Sequence, residues 1–286
     1  DLENDAIQVK VEATSVCGSD LHIWRGDGID TKKHPRDPFV FGHEMMGTVA
    51  FMGNKVTTDS LRNPLKEGDR IAFSYFFPCA KCYNCIRGEF GACKFRLGRK
   101  PLEEWPVCNG GFAQYYYLRS PHYIFKLPDE ISNASAAPIN CALAQVYDAL
   151  HLGGVMMGDN IVIQGAGGLG INATAIANEL GASKIIVIDG QKPRLELAVQ
   201  CGATDIIDMN EYDTPQSRID RVMELTNGIG ADKVVEVVGF PQVVEEGVDM
   251  VRMRGKYLEI GNIMPGSKAS LDMAKFITNQ IRFYGI

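Results

Sequence analysis

The sequence predicts an α/β protein in two parts: a strand-rich β domain over residues 1–142, then a doubly wound parallel sheet over 143–286. Three observations carry this. The chain has 286 residues, more than one small core usually organises. Short strands with frequent turns fill the first half, whereas strands alternate with helices after about residue 142. A glycine-rich turn directly follows the first strand of the second half.

Ile7 to Val11 alternates apolar and polar residues, the period of a half-buried strand. Phe39 to Met52 is a longer apolar stretch interrupted by Gly42 and Gly47, and Asp69 to Phe73 follows a turn at Gly68. Segments 54–67 and 94–107 are polar, contain Pro or Gly, and predict surface loops. Such a pattern suggests a partly closed β-barrel or a sandwich. In the second half, Ile161 to Ile163 is a buried-strand run and Ile171 to Leu180 an alanine-rich helix. Lys184 to Ile188 is the next strand and Pro193 to Cys201 the next helix, with further strands near 205–207, 233–238, 256–260 and 281–285. This rhythm predicts a parallel sheet with helices on both faces.

Composition narrows the function. Hydrophobic residues at 45% and charged residues at 22% describe an ordinary globular protein. The net charge of −6 argues against a nucleic-acid partner, and Lys32-Lys33-His34 reads as a solvated loop. The long uncharged stretch around 161–177 is rich in Gly and Ala and belongs to a turn and helix, so no membrane span is predicted. No secretory signal opens the chain, so its eight cysteines read as metal-binding or catalytic thiols, and a cytoplasmic location is expected.

Cys79, Cys82, Cys85 and Cys93 have the spacing C-x2-C-x2-C-x7-C. Four thiolates this close can close a tetrahedron around one Zn²⁺ and leave no open position, which is the requirement of a structural site. An iron–sulfur cluster is the competing metal reading. A second constellation is dispersed: Cys17-Gly18-Ser19-Asp20-Leu21-His22, then Gly42-His43-Glu44, then Asn140-Cys141. Singly, each is as consistent with a buried core residue as with a ligand. Together, Cys17, His43 and Cys141 make three ligands with a fourth position left for water or substrate, the plan of a catalytic zinc. Ser19 is then placed to accept an alcohol proton and His22 to relay it, because imidazole titrates near neutral pH. Asp20 is expected to orient His43 through its other ring nitrogen, and Glu44 to sit behind the metal or replace a ligand during turnover.

Gly165-Ala166-Gly167-Gly168-Leu169-Gly170 fits G-x-G-x-x-G in the confirming context, after a strand and at the start of a helix. The glycines let the backbone approach a pyrophosphate resting on the helix N-terminus. Asp189 ends the next strand, where a carboxylate bonds the ribose hydroxyls of NAD and repels the phosphate of NADP. Arg194 lies close by in sequence and could tolerate that phosphate; NAD is the favoured cofactor.

These residues together resemble the zinc-dependent medium-chain alcohol dehydrogenases, a family of alcohol, sorbitol and threonine dehydrogenases. The resemblance rests on CGSDLH at 17–22, GHE at 42–44, GDR at 68–70, the cysteines at 79–93, GGFAQY at 110–115, PINCALA at 138–144, GAGGLG at 165–170 and Asp189. It implies a GroES-like barrel holding two zinc ions per chain, a Rossmann domain holding NAD, and an active site in the cleft between them. It implies reversible hydride transfer between a small alcohol or carbonyl substrate and NAD, with Ser19 and His22 as the proton relay. A homodimer or homotetramer is expected, through an edge strand near Arg282–Gly285. Two departures stand out. Gln145 occupies a position where many members carry a small residue or Thr against the nicotinamide. The chain also reads as a fragment, lacking the first barrel strands and the segment that returns to the barrel. A zinc-free quinone reductase and a noncatalytic nucleotide-binding protein are the rival readings. Trp24, Phe41 and the loop 25–38 either line the substrate pocket or pack the barrel. Cys108 and Cys201 read as small buried or loop residues.

Overall fold

The structure, a computed structural model, describes residues 3–27, 40–95 and 110–286. Lys32-Lys33-His34, residues 28–38 of the loop beside Trp24, residues 96–107 of the second expected loop, and Cys108 lie outside the described residues. The chain divides into two compact units, Asp1–Cys141 and Ala142–Ile286.

The first unit is organised by a five-stranded antiparallel sheet. Strands β1 (Ile7–Ser15), β2 (Glu44–Met52), β3 (Arg70–Phe73), β4 (Tyr115–Leu118) and β5 (Ile124–Lys126) lie in the order β4-β1-β2-β3-β5. Alternating side chains from this sheet, among them Ile7, Val9, Met45, Val49, Ile71, Phe73, Tyr116 and Leu118, form its core. β1 runs four residues past the expected Val11. Its alternation breaks because the register against β2 shifts between Val11 and Ala13, a bulge that spoils the two-residue period without ending the pairing. The loop expected over 54–67 is a chain of turns closed by a Thr58–Pro64 bridge. The buried Asp59 carboxylate pins it by accepting the N–H groups of Leu61, Asn63 and Lys126. Among the described residues the unit also has three short α-helices, α1 (Gly18–Arg25), α2 (Tyr83–Ile86) and α3 (Asn133–Ala136), and 3-10 turns at Phe90–Ala92 and Ala137–Asn140.

The second unit begins with α4 (Ala142–Gly153). Then β6 (Asn160–Gln164), α5 (Gly168–Glu179), β7 (Lys184–Asp189), α6 (Lys192–Gln200) and β8 (Asp205–Asp208) follow. α7 (Pro215–Leu225), β9 (Ala231–Glu236), α8 (Pro241–Met250), β10 (Val251–Glu259), α9 (Met273–Thr278) and β11 (Arg282–Gly285) complete it. The six strands are parallel in the order β11-β10-β9-β6-β7-β8. Both faces are covered. Ile161, Ile163, Ile185 and Val187 pack with Val146 and Leu150 of α4, Ala173 and Ala177 of α5, and Leu195 of α6. Val162, Ile186 and Val234 pack with Val222 of α7 and Val244 and Val248 of α8. Burial on both sides explains why these strands read as continuous apolar runs rather than alternating ones. Arg218 of α7 and Glu246 of α8 are buried and paired through two hydrogen bonds of 2.8 and 2.6 Å. The strand order reverses between β6 and β9, and a crevice opens at the carboxyl ends of strands at such a switch point. Among the described residues, no helix is long and apolar enough to cross a membrane.

Candidate active site

The β1–β2 register assembles the first cluster. Ser15 at the end of β1 faces Glu44 at the start of β2, and its hydroxyl donates to Glu44 Oε2 at 2.6 Å. Cys17 follows β1 by two residues and His43 immediately precedes β2, so one ladder brings both to the same end of the sheet. Cys141 arrives from far along the chain. Asn140 fixes it there, its side-chain amide donating to the Phe73 carbonyl at 3.0 Å, at the end of β3. The ligand atoms of Cys17, His43, Glu44 and Cys141 all lie within 4.8 Å of one another.

α1 grows out of Cys17, which stands at its N-cap. Asp20, buried in its first turn, accepts the Cys17 N–H at 3.0 Å and the Gly42 N–H at 3.3 Å. The same carboxylate lies 3.3 Å from His43 Nδ1. That contact puts the ring proton on Nδ1 and turns the Nε2 lone pair toward the sulfurs. Ser19 Oγ stands 3.4 Å from His43 Nε2. His22, three residues further on α1, is half exposed, and its Nδ1 is paired with Asp27 at 2.9 Å. Its partner is thus an acid that no sequence motif singles out, and among the described residues no hydrogen bond joins it to Ser19. Nor does any motif single out Tyr75. Its ring lies 4.9 Å from that of His43, tilted by 53°, and its hydroxyl lies 3.8 Å from Cys141 Sγ. An aromatic two residues beyond a strand carries no motif, so nothing in the sequence marked it.

The electrostatics of the cluster follow from burial and from the hydrogen bonds among its own groups. Cys17 is lowered to about 3, chiefly by its hydrogen bond with Cys141, with His43 and Ser19 adding to that and burial opposing it. Cys141 is pushed up by the same hydrogen bond and by burial. Burial alone lowers His43, but the hydrogen bond and charge of Cys17, with Asp20 and Glu44, outweigh it and raise the imidazole. Burial raises Glu44 against the Ser15 hydrogen bond. Two thiols, one imidazole and a carboxylate are the donor chemistry of a catalytic zinc, so the residues fit that ion.

The four-cysteine lobe fits zinc by distance as well. All four sulfurs lie within 4.8 Å of one another, with separations of 3.5 Å for Cys82–Cys85 and 3.9 Å for Cys79–Cys85 and Cys82–Cys93. A tetrahedron with Zn–S bonds of 2.3 Å places sulfurs about 3.8 Å apart. The Lys81 N–H leads in lowering Cys79 to about 6, while burial pushes Cys85 up to about 12. All seven described cysteines are free thiols, Cys201 among them at the end of α6.

In the second unit, Gly165 follows β6 with φ of 101°, and α5 begins at Gly168 with Gly167 as its N-cap. A Cβ on Gly170 would overlap the Gly165 carbonyl oxygen, whereas Gly167 and Gly168 face open space. The loop is thus closed on itself below and free above, where a pyrophosphate would approach. Asp189 is nearly buried at the end of β7. Its Oδ2 accepts the Ala166 N–H and its Oδ1 the Gln191 N–H, both at 2.8 Å. Arg194 Nη1 lies 3.8 Å from Asp189 Oδ2. Leu169 packs against the core of this unit.

Trp24 is 73% exposed and lines an apolar groove of about 410 Å³ with Val16, Leu21, Phe41 and Phe112. That places Trp24 outside the core of the first unit. Gln145 is half-buried on α4.

One unit with two metal-type clusters and another with a dinucleotide turn are together the parts of a zinc-dependent dehydrogenase. Comparison with known proteins agrees. Residues 3–129 match the family described as alcohol dehydrogenase GroES-like domain, and residues 168–286 match zinc-binding dehydrogenase. An L-threonine 3-dehydrogenase of Bacillus licheniformis is 33% identical, over 100% of this chain and 75% of the relative. A sorbitol dehydrogenase of Bacillus subtilis is 31% identical, over 100% and 76%. The crystal structure of an alcohol dehydrogenase from Thermotoga maritima superposes with a TM-score of 0.91 at 30% identity, covering 100% of this chain and 78% of that one. The chain belongs to the zinc-dependent medium-chain alcohol dehydrogenase family. It is an alcohol oxidoreductase that uses zinc and a nicotinamide cofactor on a small-molecule alcohol. The first unit is the GroES-like part and the second the Rossmann part of that fold.

Proposed function

We propose that Cys17, His43 and Cys141 hold the catalytic zinc, that Cys79, Cys82, Cys85 and Cys93 hold a structural one, and that the chain oxidises a small hydroxyl-rich alcohol with NAD. The observation that carries this is the convergence of three distant ligands with a histidine whose Nδ1 is held by Asp20 at 3.3 Å. Zinc in that position supplies the Lewis acidity that makes an alcohol hydroxyl acidic near neutral pH, and the nicotinamide supplies the hydride acceptor.

The chain's own residues do the rest. Asp20 keeps the His43 ring in one tautomer and one orientation. Ser19, beside His43 Nε2, takes the substrate proton, and His22 on the same face of α1 passes it to solvent. Glu44 waits beside the ligands as an alternative donor. The turn Gly165, Gly167, Gly168, Leu169 and Gly170 receives the pyrophosphate, and Asp189 with Arg194 meets the adenosine ribose. The buried carboxylate supports NAD over NADP. The names of the threonine and sorbitol relatives support a substrate with neighbouring polar groups. Six cysteines committed to zinc rather than to disulfides support a reducing, cytoplasmic setting.

Cys17→Ala is expected to abolish turnover of any alcohol while leaving NADH binding intact; unchanged turnover would overturn the assignment. We also infer a homodimer or homotetramer through β11, the outermost strand of its sheet. Light scattering is expected to return a multiple of the 31.4 kDa chain mass, and a mass of one chain would overturn it.

A further inference from the structure

Glu236 is wholly buried at the carboxyl end of β9, beside the switch point. Its Oε1 accepts the N–H groups of Val238 and Gly239, each at 2.7 Å, and its Oε2 that of Gly261 at 3.1 Å. One carboxyl therefore ties the turn after β9 to the turn after β10. The approach is close: a Cβ on Gly261 would stand 2.6 Å from Glu236 Oε2. The turn so held faces the glycine loop, because Val238 Cγ2 lies 2.8 Å from where a Cβ on Gly165 would stand.

A second acid stands beside it. Glu259, the last residue of β10, is the register partner of Glu236, so the two side chains leave adjacent parallel strands on the same face. Asn262 Nδ2 donates to both, at 3.3 Å to Glu236 Oε2 and 3.1 Å to Glu259 Oε1. Glu259 Oε2 is buried with no hydrogen-bond partner. Among the described residues, neither acid has a basic partner. Tyr257 of β10, whose hydroxyl donates to Gln164 of β6, is close to both acids, and Glu246 of α8, engaged by Arg218 of α7, is close to Tyr257. Burial and Glu259 push Glu236 up to about 7, against the pull of the backbone N–H groups. Two adjacent carboxylates without a cation, one wholly buried and the other partly so, repel each other, and one proton between them relieves this. It also turns the unsatisfied Glu259 oxygen into a donor.

We propose that Glu236 and Glu259 share one proton, and that this shared proton holds the turn 237–239 against the glycine loop, making Glu236 a positioning residue for the dinucleotide. The proposal rests on the reading of residues 165–170 as the nucleotide site. Glu236 acts through Val238 and Gly239 and takes no part in the chemistry. When the proton leaves, repulsion between the carboxylates loosens the turn, so cofactor affinity falls as pH rises.

NADH fluorescence titration of the full chain tests this without turnover. Wild-type affinity is expected to fall about fivefold or more between about pH 6 and about pH 8.5, the size of an ordinary coupling between sites. Glu259→Gln leaves Glu236 as a lone carboxylate and should bind NADH with a flat profile, tighter than wild type at the alkaline end. A variant that keeps the wild-type slope overturns the proposal, since a purely structural role predicts weaker binding at every pH with the slope unchanged. Wild type that binds no NADH at any pH overturns the nucleotide-site reading itself. Should Glu259→Gln not fold, infrared spectroscopy of wild type decides. The carbonyl band of a buried protonated carboxyl is expected at the acid end and lost at the alkaline end, and its absence throughout overturns the shared proton.

Discussion

Asp20 does three things with one carboxylate. It caps the Cys17 N–H, holds the Gly42 N–H, and faces His43 Nδ1. Asn in its place keeps an oxygen for the helix cap but presents an N–H₂ group to partners that are themselves donors. Asp20→Asn is therefore expected to weaken catalytic-site zinc binding by about 10- to 100-fold, the usual cost of losing a group that orients a ligand. The four-cysteine lobe should keep its metal. A chelator competition that resolves the two zincs measures this, and equal affinity for both ions in variant and parent would refute it. Asp20 was legible in the sequence because it sits between two residues of ligand type. Tyr75 and Asp27 were not: their roles depend on where β3 ends and how α1 terminates, and neither follows from spacing.

Elements explain where sequence pattern succeeded and where it stopped. The parallel strands were legible because burial on both faces writes apolar runs into the chain. α1 was not legible as a helix. Leu21 and Trp24 are exposed on it, so the usual apolar stripe is missing, and its inward face is spent on Ser19 and Asp20. β1 was read short because a bulge interrupts its period. The glycine turn was legible because backbone crowding dictates its residues directly. Gly170→Ala tests that reading. The added methyl meets the Gly165 carbonyl, which is backbone and cannot rotate away. The expected result is a loss of about 1–3 kcal/mol of stability, as for overpacking elsewhere, with NADH binding weakened because α5 moves off the loop. Gly168→Ala has no such neighbour and should fold as well as wild type. Equal stability and NADH affinity in Gly170→Ala and wild type would show that the loop is not closed as described.

At the scale of the molecule, the chemistry is divided between two units that each carry their own core. Every proposed zinc ligand lies in Asp1–Cys141, and the whole glycine turn lies in Ala142–Ile286. The sequence showed this division through its change of rhythm near residue 142, since a two-residue period and a βαβ period require different partners for their apolar faces. Ligands of the two kinds should therefore stabilise different parts of the protein. Anything that binds only the folded form raises stability by mass action, about 2.7 kcal/mol at a hundred times its Kd. In scanning calorimetry, removal of zinc with a chelator is expected to lower the transition of the first unit and leave that of the second in place. NADH is expected to raise the second transition and leave the first, even in zinc-depleted protein. Cys93→Ser should reproduce part of the chelator effect, because it opens the lobe while leaving Cys17, His43 and Cys141 untouched. A single transition that moves as one under both zinc removal and NADH addition would mean that the cores unfold together, and the assignment of each ligand to its own unit would lose its support.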